Sequence, residues 1–185
     1  MARFTEHIIL TVFEEMLLEM PFDQITVSAL SRRCDISPNT FYYHYRDLND
    51  LLAFWLRAKV DAGLAEIPES FSWTERVKYV FRRCKESELL IFHISDSNGR
   101  AQLEDYVFST SSRHIFDCVE DLIRDMRLSE AARQALSKLM RYAFLGFFIQ
   151  FLQNRMTDDI DKSVDWFARQ LRLCACQVSE EQLSY

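Results

Sequence analysis

The chain has 185 residues, 49% of them hydrophobic and 27% charged, with a formal net charge of −6, which suits a globular protein with a substantial core and excludes a disordered one. Only 3 Gly and 3 Pro leave little material for hairpins or phosphate loops, so an all-α chain is expected. The 5 cysteines lack framework spacing, Met1 leads directly into an amphipathic segment, and the longest apolar run, Tyr142 to Ile149, is short of the ~20 residues of a membrane span; a cytoplasmic protein with reduced thiols follows as the expectation.

In chain order, residues 4–20 predict a helix, with Phe4, Ile8, Ile9, Val12, Phe13, Met16, Leu17 and Met20 recurring every three or four positions and Pro21 as its stop. Thr26 suits the N-cap of a short second helix carrying Val27, Leu30 and Cys34 on one face. Asp35 tolerates a left-handed turn. Ser37 then caps a third helix with Pro38 at its first position, where a missing N–H costs nothing. Asp47 suits the cap of a longer helix to about Ile67, before Pro68. Further helices are expected over 72–94 and 100–126, around the turn-rich Ser95 to Gly99. The last two are expected over 129–156, capped by Ser129, and 161–178, with Ser179 to Tyr185 frayed.

Two short helices joined by Cys34-Asp35-Ile36 have helix-turn-helix spacing. Such a motif sets the start of its second helix against base edges in the major groove. Here that places Ser37, Pro38, Asn39 and Tyr43 as base readers: Asn39 can donate and accept at an adenine edge, and Pro38 can touch a thymine methyl. Thr26, Thr40, Tyr42, His44 and Arg46 are the phosphate candidates, helped by open N–H groups at helix starts. Phe41 and Tyr45, four apart, can brace the helix from inside. Periodicity alone would also fit a packed helical corner.

Phe22, Ile25-Thr26-Val27, Leu30, Ile36-Ser37, Thr40-Phe41-Tyr42, Tyr45 and Asp50-Leu51-Leu52 keep one register. In that register the chain resembles the N-terminal domain of the TetR/AcrR family of transcriptional regulators. The resemblance implies a helix-turn-helix domain over 1–47 and a larger helical domain over 48–185 for ligand binding and dimerisation. It departs from the family in two places: Asp35 stands where a turn glycine is usual, and Leu48 where a phosphate-touching lysine opens the next helix, a contact Arg46 can replace. His93 to Tyr106, together with the length and Phe-Tyr-Tyr-His-Tyr, is similar to a branch that includes regulators near dihydroxyacetone kinase genes.

Residues 1–52 carry four basic and eight acidic side chains, a net of −4, against the usual sign of a DNA-binding domain. Within Val27 to Arg46 the balance reverses to three arginines and one acid.

Farther along, Tyr142 to Ile149 is apolar all round a helix and must be buried on two sides. Tyr142, Gly146 and Phe147, with Val164, Phe167 and Leu171 on the last helix, are the expected dimer interface. Tyr79, Phe92, His93, Tyr106, Phe108, His114 and Phe144 offer apolar walls with polar tips for a small-molecule pocket, although ordinary core packing explains each as well. His93/Asp96 and His114/Asp117 have the spacing of helical metal pairs but read as salt bridges or capped core histidines. Cys174-Ala-Cys176 lacks zinc spacing, and no metal or cofactor is expected. Glycine-rich phosphate loops, G-x-S-x-G and H-E-x-x-H are absent from the sequence, so no enzyme is expected. The resulting expectation is a cytoplasmic, homodimeric TetR-type repressor, bound to a palindromic double-stranded operator and released by a small molecule. The alternative is a TetR-like protein-interaction module that no longer binds DNA.

Overall fold

The computed structural model of the chain describes residues 2–109 and 128–183, and these are helices, turns and loops without a strand. The helices are α1 (Ala2–Glu19), α2 (Val27–Arg33), α3 (Pro38–His44), α4 (Leu48–Ala65), α5 (Trp73–Glu86), α6 (Glu88–Ser95), α7 (described over 100–109), α8 (Glu130–Gln153) and α9 (Ile160–Leu183). A 3-10 turn, Phe22–Gln24, follows Pro21.

Local chemistry accounts for most of the boundaries. Thr26, Ser37, Asp47 and Ser129 each accept a hydrogen bond from the backbone N–H three residues on, which satisfies one open donor of α2, α3, α4 and α8. Ser72 and Glu75 cap α5 reciprocally: the Ser72 N–H donates to the Glu75 carboxylate at 2.7 Å, and Ser72 Oγ accepts from the Glu75 N–H at 3.4 Å. Asp35 takes the left-handed backbone (φ 54°), and the N–H groups of Asp35 and Ile36 close on the carbonyls of Arg32 and Ser31. That paired closure ends α2 and turns the chain into α3. Arg155, also at φ 54°, ends α8 the same way, with Arg155 and Met156 donating to Leu152 and Phe151.

Two expectations differ. The single helix over 72–94 is two, α5 and α6, separated at Ser87 (φ −107°, ψ 29°). Glu86-Ser87-Glu88 holds neither Gly nor Pro, so nothing in the sequence announced the break. The C-terminal residues expected to fray continue α9 to Leu183, because Ser-Glu-Glu-Gln contains no helix breaker. Of the helix expected over 100–126, the part beyond 109 lies outside the described residues.

The backbone packs as two compact units. The first combines Met1–Glu66 with Glu86–Tyr106, a cut different from the one at 47/48 drawn from sequence. Its core holds Ile9, Phe13, Leu17, Phe22, Leu30, Phe41, Leu51, Leu52, Trp55 and Ile94, with Phe13 edge-on to both Phe22 and Trp55. Glu14 on α1 accepts from Trp55 Nε1 at 3.3 Å and pairs with Lys59, tying α1 to α4. The later segment is bound in as firmly. In α1 the Leu17 carbonyl would close on the N–H of residue 21, but Pro21 has none. His93 Nδ1–H of α6 donates to that carbonyl instead, at 2.7 Å. Tyr106 donates to Asp61 of α4 at 3.2 Å.

The second unit combines Ile67–Lys85 with Val107–Tyr185. Its core is aromatic: Phe81 of α5 meets Phe144, Phe147, Phe148 and Phe151 of α8. Phe147 in turn stacks on Phe167 of α9 with centroids 4.5 Å apart. By length and composition α8 is apolar enough to cross a membrane, a test that core helices also pass. Here α8 contributes Leu136, Met140, Phe148, Phe151 and Leu152 to the unit's own core.

Candidate nucleic-acid interface

The first three helices present the expected tip. Ser37, Pro38 and Asn39 are exposed at the start of α3, and Tyr43 stands 81% exposed one turn on. Phe41 and Tyr45 turn inward and are buried, so the helix is held by one face while the other remains open. Ser37 Oγ accepts from the Thr40 N–H at 3.1 Å and shares a 2.9 Å hydrogen bond with Thr40 Oγ1. Both hydroxyls are therefore committed first to the cap and only secondarily available to a partner. Tyr42 is exposed with its ring against Phe41, and His44 lies edge-on to Tyr43. Thr26 is exposed, its hydroxyl holding the Ala29 N–H. The buried Tyr45 phenol is pushed up first by desolvation, then by the nearby Glu6 and Asp50.

The charges around this tip are constrained by neighbours. Arg33 forks onto Glu19 of α1 with nitrogen–oxygen distances of 2.6 and 2.7 Å. The hydrogen bonds from Arg33 hold the Glu19 carboxyl below its ordinary range, and Glu19 raises Arg33 in return. Arg46 is exposed but pairs with Asp50 at 3.2 Å. The Arg46 backbone N–H, at 3.0 Å, is the main cause that lowers Asp50, and the guanidinium adds to it. From sequence, the three arginines of Val27 to Arg46 enter one local positive balance, with Arg46 alone named as a phosphate contact. The structure distinguishes them by the carboxylates of α1 and α4 that a linear reading cannot place.

Residues 72–171 match the transcriptional regulator C-terminal region of TetR type. The chain belongs to the TetR family of transcriptional regulators. Solved structures similar to it include the dihydroxyacetone kinase operon activator DhaS, at 16% identity over 90% of this chain and 93% of that one, with a TM-score of 0.64. NalD of Pseudomonas aeruginosa, the secondary repressor of the MexAB-OprM multidrug efflux pump, is similar at 14% identity over 92% and 96%, with a TM-score of 0.52. At these identities the likeness is one of fold: an N-terminal helix-turn-helix followed by a larger helical region. No curated protein sequence matches the chain.

The TetR-type fold distributes the other expected residues unevenly. Of the pocket set, Phe92, His93 and Tyr106 belong to the first unit, and Tyr79, Phe108 and Phe144 to the second. His114 lies outside the described residues. His93 and Tyr106 are occupied in binding Leu17 and Asp61, so both act as ties within the first unit. Of the expected dimer residues, Tyr142 is exposed and a Cβ on Gly146 would meet nothing within 4 Å. Val164 and Phe167, at 0% and 7% exposure, instead face inward with Phe147, while Leu171 packs beside Leu136, Met140 and Ala175. The outward stripes are Leu139, Tyr142 and Gly146 on α8 and Trp166 and Leu173 on α9. Leu139, Trp166 and Leu173 are exposed apolar residues that the sequence reading did not single out. The signal is the three- and four-residue spacing of Leu139, Tyr142 and Gly146 and the seven-residue spacing of Trp166 and Leu173, each one face of a helix.

Proposed function

We propose that this TetR-family regulator is a cytoplasmic homodimer that binds a palindromic double-stranded operator and represses transcription until a small molecule releases it. The observation that carries the reading is the open start of α3: Ser37, Pro38, Asn39 and Tyr43 outward, on a helix braced by buried Phe41 and Tyr45. Residues 1–47 supply the DNA contacts, Asn39 at a base edge and Thr26, Thr40, Tyr42, His44 and Arg46 at phosphates. Residues 48–185 hold the effector and the dimer face, which we assign to Leu139, Tyr142, Gly146, Trp166 and Leu173 because these are exposed and apolar or small. An effector releases DNA only by binding the DNA-incompetent arrangement more tightly.

One observation favours a second reading. With Arg33 on Glu19 and Arg46 on Asp50, the tip offers little uncompensated positive charge, as a protein-interaction module without DNA affinity would. Selection of bound DNA from a random pool separates the two. The regulator yields a palindromic motif, and Asn39→Ala loses about 1–3 kcal/mol with relaxed preference at one position per half-site. If no DNA, including the segment upstream of its own gene, is retained at low salt, the interaction module replaces the regulator.

A further inference from the structure

One strong cation serves the whole of α3 and the first turns of α4. From Ile36 to Leu56 the only lysine or arginine is Arg46, set between the end of α3 and the Asp47 cap. Its side chain is 87% exposed, yet Nη2 donates to Asp50 Oδ1 at 3.2 Å. The one cation of this stretch is thus already held by a carboxylate of its own chain.

The two partners are held unequally. Asp50 is anchored by the backbone: Oδ2 accepts the Arg46 N–H at 3.0 Å, and the Asp50 N–H donates to Asp47 Oδ1 at 2.8 Å. The bond from the Arg46 backbone is also the first cause that keeps the Asp50 carboxyl below its ordinary range, so the group is charged at neutral pH and fixed in place. The guanidinium, by contrast, holds Asp50 through one nitrogen and reaches into solvent, so the arginine side chain can leave while Asp50 stays. Arg33 is bound differently. It grips Glu19 with two nitrogens, at 2.6 and 2.7 Å, and its side chain is 40% exposed. That pair ties α2 to α1, whereas the Arg46 pair is the one built to open.

We infer that Asp50 is an autoinhibitory group: in the free protein its carboxylate occupies Arg46 as a stand-in for phosphate, and DNA binding requires the exchange. A guanidinium donates two parallel bonds to a phosphate, against one to Asp50 Oδ1, so a phosphate brought beside α3 displaces the carboxylate. The exchange leaves Asp50 charged and fixed behind the departing side chain. The chain therefore binds DNA more weakly than Arg46 alone would allow. With a single cation on this stretch, a single carboxylate is enough to attenuate it. The inference rests on the operator-binding reading above.

The test is a double-mutant cycle on the full-length protein, read as affinity for a duplex carrying the motif selected from the random pool, at about 0.15 M salt to screen distant charges. Asp50→Asn removes the charge but leaves an amide oxygen to accept the Arg46 N–H, so the start of α4 is kept. An exposed pair at this spacing is worth about a twofold shift and a dimer carries two, so Asp50→Asn should tighten binding about fourfold. Arg46→Gln should weaken binding, and by about fourfold more in the Asp50→Asn background than in the parent. Asp35→Asn is the control, removing the same charge from an exposed residue in no ion pair among the described residues, with asparagine tolerating the same backbone. It should shift affinity less than twofold, and in the Arg46→Gln background Asp50→Asn should do no more. Equal tightening by Asp50→Asn with and without Arg46 reduces Asp50 to plain repulsion and overturns the inference. So does Asp50→Asn without tightening, or Arg46→Gln without loss. A parent protein that retains no DNA from the pool overturns the regulator reading as well, which separates the two failures.

Discussion

Replacing Gly99 by alanine adds one methyl group at the turn that enters α7. That methyl would lie 2.8 Å from Leu52 Cδ2 and 3.1 Å from both Ile94 Cγ2 and Phe22 Cδ1. All three partners belong to the core of the first unit: Leu52 and Ile94 are 0% exposed and Phe22 4%, so none can swing into solvent to make room. Overpacking of a filled core costs about 1–3 kcal/mol, and three simultaneous contacts in rigid surroundings put Gly99→Ala at the upper end, about 2–3 kcal/mol. For a chain of this length that lowers Tm by roughly 4–12 °C. The control is the same substitution at Gly63 in α4, where the new Cβ meets nothing within 4 Å. There alanine should stabilise, by about 0.4–1 kcal/mol, because it restricts the unfolded chain at no cost to the helix. Thermal unfolding of both variants by circular dichroism, with the buried Trp55 as a fluorescence reporter of the first unit, measures the pair. A Gly99→Ala protein as stable as the parent would refute the close approach of the α6–α7 turn to Phe22 and Leu52.

The remaining predictions concern assembly, acid and salt. Trp166→Glu and Leu173→Glu should sediment as folded monomers, whereas Phe167→Glu should lose helix content outright, because its ring is stacked inside the unit; dimers surviving in both outward variants would remove the assigned face. Glu19, Asp50 and Asp161 are held below their ordinary range by bonds from Arg33, the Arg46 backbone and Arg82. Depressed carboxyls stabilise the fold above their unfolded pKa, so stability should stay level from pH 7 to about 5 and fall as pH drops below about 4, with a shallower fall in Glu19→Gln. With Arg33 committed to Glu19, Arg32 and the exposed Arg46, once it exchanges Asp50 for a phosphate, are the arginines of the described tip that can meet phosphate in each subunit. The slope of log affinity against log salt for the dimer should therefore have a magnitude of about 2 to 4, and a slope near 10 would place other cations at the interface.

The parts of this fold that were legible in sequence are those decided within a few residues. Thr26, Ser37, Asp47 and Ser129 were readable as caps because the hydroxyl or carboxylate needs only its own backbone three residues on. Asp35 was readable as the turn because few side chains tolerate its φ. What depended on distant neighbours was not. Periodicity placed Val164 and Phe167 on an apolar stripe but could not say that α8 of the same chain fills it, leaving Trp166 and Leu173 outside. His93 read as a pocket candidate or a capped core histidine with no partner named, since its actual partner, a carbonyl orphaned by a proline, is 76 residues away. At the candidate DNA tip, the exposed residues followed from the motif. The pairing of Arg33 with Glu19 did not, because it depends on how α1 crosses α2.

The bond from His93 to Leu17 and the seating of Gly99 on Phe22 carry a consequence for biosynthesis. The helix-turn-helix is encoded first, yet its core is closed by residues 86–106. A ribosome adding about 5–20 residues per second leaves roughly 2–8 s between the emergence of residue 66 and that of residue 106. During that interval the Leu17 carbonyl and the Phe22–Leu52 surface await partners that have not yet been made. The N-terminal region therefore reaches its final form together with the middle of the chain. A chimera meant to transplant this head onto another regulator must carry α6 and the start of α7 with it.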